Sequence, residues 1–209
     1  METSTPGTNA APWLYRQRAM VIGIIYGLSF FFGYFIAGVC GLSMTPAFHS
    51  FGLEPWLAAA AILLAAAGFA LRAWASSYLP ASIVYHQDVV ADELRVSGPY
   101  RFIRNPLYLG NVLQAAGVGL LGPWPVFAFL VIAMLIYSVY LIRVEEKFLA
   151  SVHGEAFAQY MRAVPALVPV PGRTLPENTQ PFFLRAGLKA ERYLGLAVLV
   201  VIGFVIWRW

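Results

Sequence analysis

The 209-residue chain has a single cysteine, Cys40. One thiol excludes an internal disulfide and any cysteine-based metal cluster. Charge is also scarce, with Lys, Arg, Asp and Glu making 11% of the residues against 60% hydrophobic ones. A soluble domain of this length needs far more charge to cover its surface, so the composition, at a mean hydropathy of +0.69, belongs to the membrane class. The formal net charge of +4 is too small, and too tied to the ends of apolar runs, to suggest nucleic acid. It suits the cytoplasmic face of a membrane. No cleavable signal peptide is evident: the start is polar, and the apolar run that follows is too long for a signal core. No internal repeat is apparent. The centres of the apolar runs carry no ionisable group, which argues against a transporter, since transporters bury such groups at mid-membrane.

What the chain does have is a series of apolar runs. Residues 1–18 are a polar tail expected to be disordered, and 19–74 hold two apolar runs, 19–40 and 55–74, each long enough to cross a hydrocarbon core. Residues 75–171 form a central region containing two more runs, 107–121 and 126–142. Residues 172–209 are a polar linker and a last run over 193–207. The expected architecture is therefore all-α and polytopic, with five membrane helices and a cytoplasm-facing site built by the third, the fourth and their flanking loops. The third run is short for a full crossing. Pro123-Trp124-Pro125 turns the chain, so the third and fourth form a hairpin bringing Tyr108 to Arg143, Glu145 and Glu146. A short interfacial helix is expected over 146–161, and Pro165, Pro169 and Pro171 forbid helix after it. Arg72 marks the exit of the second span, its charge snorkelling to water. Gly23 and Gly27 form a Gly-x-x-x-Gly face able to admit another helix.

The positive charges fall on one side of this layout. Of fourteen Lys and Arg residues, all but Arg208 lie before the first span, at the exit of the second (Arg72) or in the two long polar sections. The positive-inside rule then puts the N-terminus and both sections in the cytoplasm, and the C-terminus opposite.

Chemistry concentrates in residues 97–110, Ser-Gly-Pro-Tyr-Arg-Phe-Ile-Arg-Asn-Pro-Leu-Tyr-Leu-Gly. Gly98-Pro99 and Asn105-Pro106 are chain breakers bracketing a basic and aromatic segment. Pro106 suits the first turn of a new helix, where its missing N–H costs nothing. Tyr100, Arg101, Arg104 and Tyr108 thus stand at the mouth of a membrane helix, whose free amides favour anions. Composition alone also allows a loop that anchors to lipid headgroups.

The order and spacing of several such pieces resemble the isoprenylcysteine carboxyl methyltransferase family, which is related to the membrane phospholipid methyltransferases. That pattern is Gly-x-Tyr, four residues, His-Pro-x-Tyr-x-Gly, a Glu-Glu pair one helix later, then Gly-x-x-Tyr-x-x-Tyr and Val-Pro. Here the pieces are Gly98-Pro99-Tyr100, Asn105-Pro106-Leu107-Tyr108-Leu109-Gly110, Glu145-Glu146, the stretch from Gly154 through Phe157 to Tyr160, and Val164-Pro165. Asn105 stands where the family usually has histidine.

The resemblance implies methyl transfer from S-adenosylmethionine, with no metal site. It implies Arg104, Asn105, Tyr108, Arg143, Glu145 and Glu146 as catalytic, and Leu94, Arg95, Tyr100, Arg104, Asn105, Pro106, Leu107, Tyr108 and Glu145 as cofactor-binding. A carboxylate such as Glu145 compensates the cationic donor, aromatic rings face it, and arginine with helix amides takes its carboxylate. An alternative pairs Glu145 and Glu146 with Arg143 or Lys147. His86 could line the site, while His49 lies on the other side. The implied partners are membrane lipids and a lipidic or lipidated acceptor, foremost a prenylcysteine carboxylate, with a phospholipid amine or a phenolic lipid hydroxyl as alternatives. A non-enzymatic scaffold or transporter subunit binding anionic lipid remains the other class.

Overall fold

Apolar runs without an internal breaker close their own backbone hydrogen bonds, and in a membrane only helices do this within one segment. The computed structural model, described over residues 12–47, 54–79, 94–176 and 180–208, is accordingly helical, with no strand among the described residues. Its helices are α1 (Trp13–Arg16), α2 (Arg18–Val39), α3 (Glu54–Ser76), α4 (Pro106–Gly119), α5 (Trp124–Ala163), α6 (Leu184–Ala190) and α7 (Arg192–Arg208), with a 3-10 turn at Gly98–Arg101. His49 and His86 lie outside the described residues.

Of the five expected crossings, α2, α3 and α5 are long and apolar enough to span a membrane, and α6 with α7, bent by 64°, makes a fourth if taken as one broken span. The fifth, α4, has 14 residues and reaches about 21 Å, short of a hydrocarbon core. Asn105-Pro106 opens it too late and the turn before Pro123 closes it too early.

Two local expectations change. Helix α5 runs unbroken through the charged stretch Arg143–Lys147 as far as His153, where a span ending at Ile142 and a separate interfacial helix were expected. Nothing between Ile142 and His153 breaks a helix; the break comes at Gly154, at φ 52° and ψ −122°, a conformation that only glycine adopts cheaply. Of the expected N-terminal tail, 13–16 form a helical turn that buries Tyr15.

Close helix approach organises the core around α3 and α4. A Cβ on Gly68 would lie 2.7 Å from the Gly110 carbonyl oxygen, and one on Gly117 2.7 Å from that of Ala61. Small residues on both helices thus let the backbones touch. The Gly-x-x-x-Gly face of α2 does not do this: nothing lies within 4 Å of a Cβ built on Gly23 or Gly27, and Gly33 instead meets Val126 of α5.

Candidate active site

Two turns deliver the motif to the mouth of α4. Gly98 has φ 58°, and a Cβ there would strike the ring of Tyr78, so both conformation and space demand glycine. The following 3-10 turn places Tyr100 inward and buried. Asn105 then sits at the N-cap of α4, with Pro106 in its first turn.

The scattered motif pieces meet here. The Tyr108 hydroxyl donates to Glu145 Oε2 at 2.8 Å, joining the ends of the α4–α5 hairpin. Glu146, one residue on, accepts from Arg104 Nε and from Asn105 Nδ2, both at 2.9 Å. The Tyr160 hydroxyl donates to the Tyr100 carbonyl at 2.6 Å. The Val164-Pro165 corner receives the Arg104-Asn105 backbone: Arg104 N donates to Pro165 O at 2.9 Å and Asn105 N to Ala166 O at 3.1 Å. Arg104 Nη1 adds bonds to the carbonyls of Met161 and Val164, and Asn105 Nδ2 a bond to Ala166 O. Every motif element has a partner in another element.

Between them lies a cleft enclosing about 710 Å³, open solvent at its mouth included, lined by Leu79, Leu94, Arg95, Tyr100, Arg104, Asn105, Pro106, Leu107, Tyr108, Glu145, Leu149, Phe157 and Tyr160. All nine positions that the resemblance nominated for the cofactor are in this lining. Of the other catalytic candidates, Glu146 stands behind the wall, bonded to Arg104 and Asn105, and Arg143 is exposed on α5 away from the cleft. The glutamates bond to Tyr108, Arg104 and Asn105 rather than to Arg143 or Lys147. Burial, then the Glu145 carboxylate, push the Tyr100 phenol well above its usual range, so it stays protonated at neutral pH.

Sequence reasoning placed Leu149, Phe157 and Tyr160 on an interfacial helix and did not bring them to the site. The signal was there: Phe157 and Tyr160 hold the two tyrosine positions of the Gly-x-x-Tyr-x-x-Tyr pattern. It also missed the role of Arg72, which does not snorkel. Arg72 pairs with Glu191 through Nε at 2.8 Å and Nη2 at 2.9 Å, and its Nη1 donates to Leu107 O at 3.2 Å and Asn111 Oδ1 at 2.7 Å.

Residues 56–156 match the sequence model of the phospholipid methyltransferase family. A cobalt-zinc-cadmium resistance protein, CzcN, from Cupriavidus metallidurans is 37% identical over 112 residues, 51% of this chain and 51% of that one. A methanethiol S-methyltransferase from Crocosphaera subtropica is 40% identical over 76 residues, 35% of this chain and 28% of that one. Over this central stretch the chain is similar to the membrane methyltransferases. It spans about half the length of the first relative and less of the second. No solved structure matches it.

The fork geometry of Arg104 makes a prediction. Lysine keeps the charge beside Glu146 but cannot hold the carbonyls of Met161 and Val164 in the same plane. Arg104→Lys is expected to lower stability by about 1–3 kcal/mol, measured by unfolding in detergent, with loosening of the 161–166 corner seen by hydrogen exchange. Wild-type stability and exchange in that variant would make the bonds to the corner incidental.

Proposed function

We propose that the chain is an integral-membrane methyltransferase that uses S-adenosylmethionine and acts on a lipidic acceptor entering from the bilayer, with a prenylcysteine-like carboxylate as the preferred acceptor. The observation that carries this reading is the convergence of Tyr100, Arg104, Asn105, Tyr108 and Glu145 on one cleft at the mouth of α4. The residues fit the donor. Glu145 compensates its positive charge, Tyr100, Tyr108, Phe157 and Tyr160 offer ring faces to a cation, and Arg95 suits its carboxylate. The donor supplies an activated methyl group; the protein's part is to orient it, exclude water and bring the acceptor in line. The positive-inside distribution supports a cleft and N-terminus facing the cytoplasm.

The acceptor follows from the proton inventory. Asn105 has no titratable proton, and its amide is engaged with Glu146 and Ala166 O. A site with asparagine in place of histidine suits an acceptor already deprotonated at neutral pH, which a carboxylate is and an amine or a phenol is not. A thiol is a second reading, supported by the name of the Crocosphaera relative and by a pKa of about 8.5 that leaves some thiolate at neutral pH. Amine and phenol lipids, and a purely lipid-binding scaffold, are the further alternatives.

The test is S-adenosylmethionine binding by the purified protein in nanodiscs. Labelled methyl transfer to prenylcysteine, phosphatidylethanolamine, a phenolic lipid and a short thiol follows, for wild type and Asn105→His across pH. The expected result is binding, transfer to the carboxylate, and little change on introducing histidine. Absence of donor binding would falsify the enzymatic reading. A large gain in Asn105→His with a new titration near neutral pH would replace the carboxylate with an acceptor that needs a base.

A further inference from the structure

Both walls of the cleft are tied to a part of the chain that lies beyond the family match. Residues 180–191 follow the proline-rich corner and run along the C-terminal end of α3. At the start of this segment the Gln180 side chain works as a strand partner would. Its Oε1 accepts from the backbone amides of Val96 at 2.9 Å and Ser97 at 3.1 Å, and its Nε2 donates to the Leu94 carbonyl at 3.0 Å. The segment it grips supplies Leu94 and Arg95 to the cleft and leads directly into Gly98-Pro99-Tyr100. Farther along, Phe183 N donates to the Ser77 carbonyl at 2.7 Å. Gly187 sits so close to α3 that a Cβ would lie 2.6 Å from Ala73 O. At the far end Glu191, 3% exposed, holds Arg72, whose Nη1 reaches the carbonyl of Leu107 in the first turn of α4 at 3.2 Å. Leu107 is the opposite wall.

We propose that residues 180–191 form a clamp that sets the spacing of the two cleft walls, with Gln180 as the positioning residue for the Leu94–Tyr100 wall. This rests on the reading of the cleft as the S-adenosylmethionine site. Resting backbone amides on one side-chain amide is geometrically specific. Only a planar group with an acceptor and a donor satisfies two N–H groups and one C=O at once. Without it, the 94–97 segment loses all three of these bonds, and the wall that carries Arg95 and Tyr100 is free to move relative to Leu107 and Tyr108. Misplaced walls cost donor affinity before they cost folding, because the helical core of α3 and α4 does not depend on Gln180.

The experiment uses full-length protein in nanodiscs, with wild type, Gln180→Ala and Gln180→Glu compared by S-adenosylmethionine Kd, hydrogen exchange at Val96 and Ser97, and thermal unfolding. Gln180→Ala is expected to speed exchange at both amides and to weaken donor binding roughly tenfold, with little change in unfolding temperature. Gln180→Glu keeps the acceptor for both amides but sets its second carboxylate oxygen against the Leu94 carbonyl, so slow exchange at Val96 and Ser97 should return while the donor affinity recovers only in part. Wild-type donor affinity in Gln180→Ala overturns the clamp while leaving the cleft assignment intact. So does a Gln180→Glu protein whose Val96 and Ser97 amides exchange as fast as in the alanine variant. If wild type binds no donor, the clamp falls together with the reading of the cleft.

Discussion

Glu145→Gln protein should insert and fold normally yet bind S-adenosylmethionine roughly 10- to 100-fold more weakly than wild type, the loss of a charged interaction worth about 1.5–3 kcal/mol. Glutamine is nearly isosteric, and its carbonyl still accepts from the Tyr108 hydroxyl now bonded to Glu145 at 2.8 Å. The packing at the hairpin mouth is therefore kept and only the charge goes. Tyr108→Phe is the companion variant: it removes the hydroxyl, leaves the carboxylate in the cleft, and should cost less. Calorimetric titration of the three proteins decides the matter. Equal affinities for wild type and Glu145→Gln would move the charge compensation off Glu145. Glu146 is then the less suitable candidate, since its Oε1 is already held by Arg104 and Asn105.

Breaking the Arg72–Glu191 pair should have the largest effect on stability. Glu191 is 3% exposed, and its carboxylate takes two guanidinium bonds and a third from the Ser76 hydroxyl at 2.7 Å. Glu191→Ala leaves Arg72 with a charge that is 18% exposed and no acidic partner. Removing one member of such a pair costs about 3–5 kcal/mol, whereas replacing both with apolar residues of similar volume is close to neutral. Unfolding in mixed micelles should show Glu191→Ala strongly destabilised and the Arg72→Met/Glu191→Met double variant recovering most of the loss. A single-variant cost below about 1 kcal/mol would place the pair in the range of solvent-screened surface bridges. The double variant also separates two roles of Arg72. It restores the packing without the bond to Leu107 O, so a well-folded double variant with weakened donor binding assigns Arg72 to the alignment of α4 as well.

Much of this was legible in the chain. Uninterrupted apolar runs leave the backbone only one way to satisfy itself in lipid, so the all-helical class and the positions of α2, α3 and α7 follow from composition and length. Asn105-Pro106 started α4 where a proline suited to a helix's first turn says it must. The approach of Tyr108 to the Arg143–Glu146 stretch was legible as well, because a turn at Pro123-Trp124-Pro125 between two runs returns the chain to its starting level. The continuity of α5 was not. Arg143, Glu145, Glu146 and Lys147 look like a membrane exit, and a membrane exit does not reveal whether the helix stops or projects into water. Local helix propensity is met either way, and only the glycine at 154 enforces a break.

What the sequence determined by itself is the material of the site: the residue types, their order, and the membrane helices that bring them near one interface. Only the tertiary structure decided how the polar groups are shared out. Glu145 and Glu146 are adjacent and chemically identical. Yet one faces the cleft with Tyr108, and the other is spent on Arg104 and Asn105, because successive residues on a helix point about 100° apart and meet different neighbours. Arg72 and Glu191 are 119 positions apart, beyond any periodicity in the chain. Their meeting was settled by the close packing of small residues between α3 and α4 and by the bend between α6 and α7. Long-range polar partners are chosen by which buried groups are left to satisfy once the helices have packed, and that choice exists only in three dimensions.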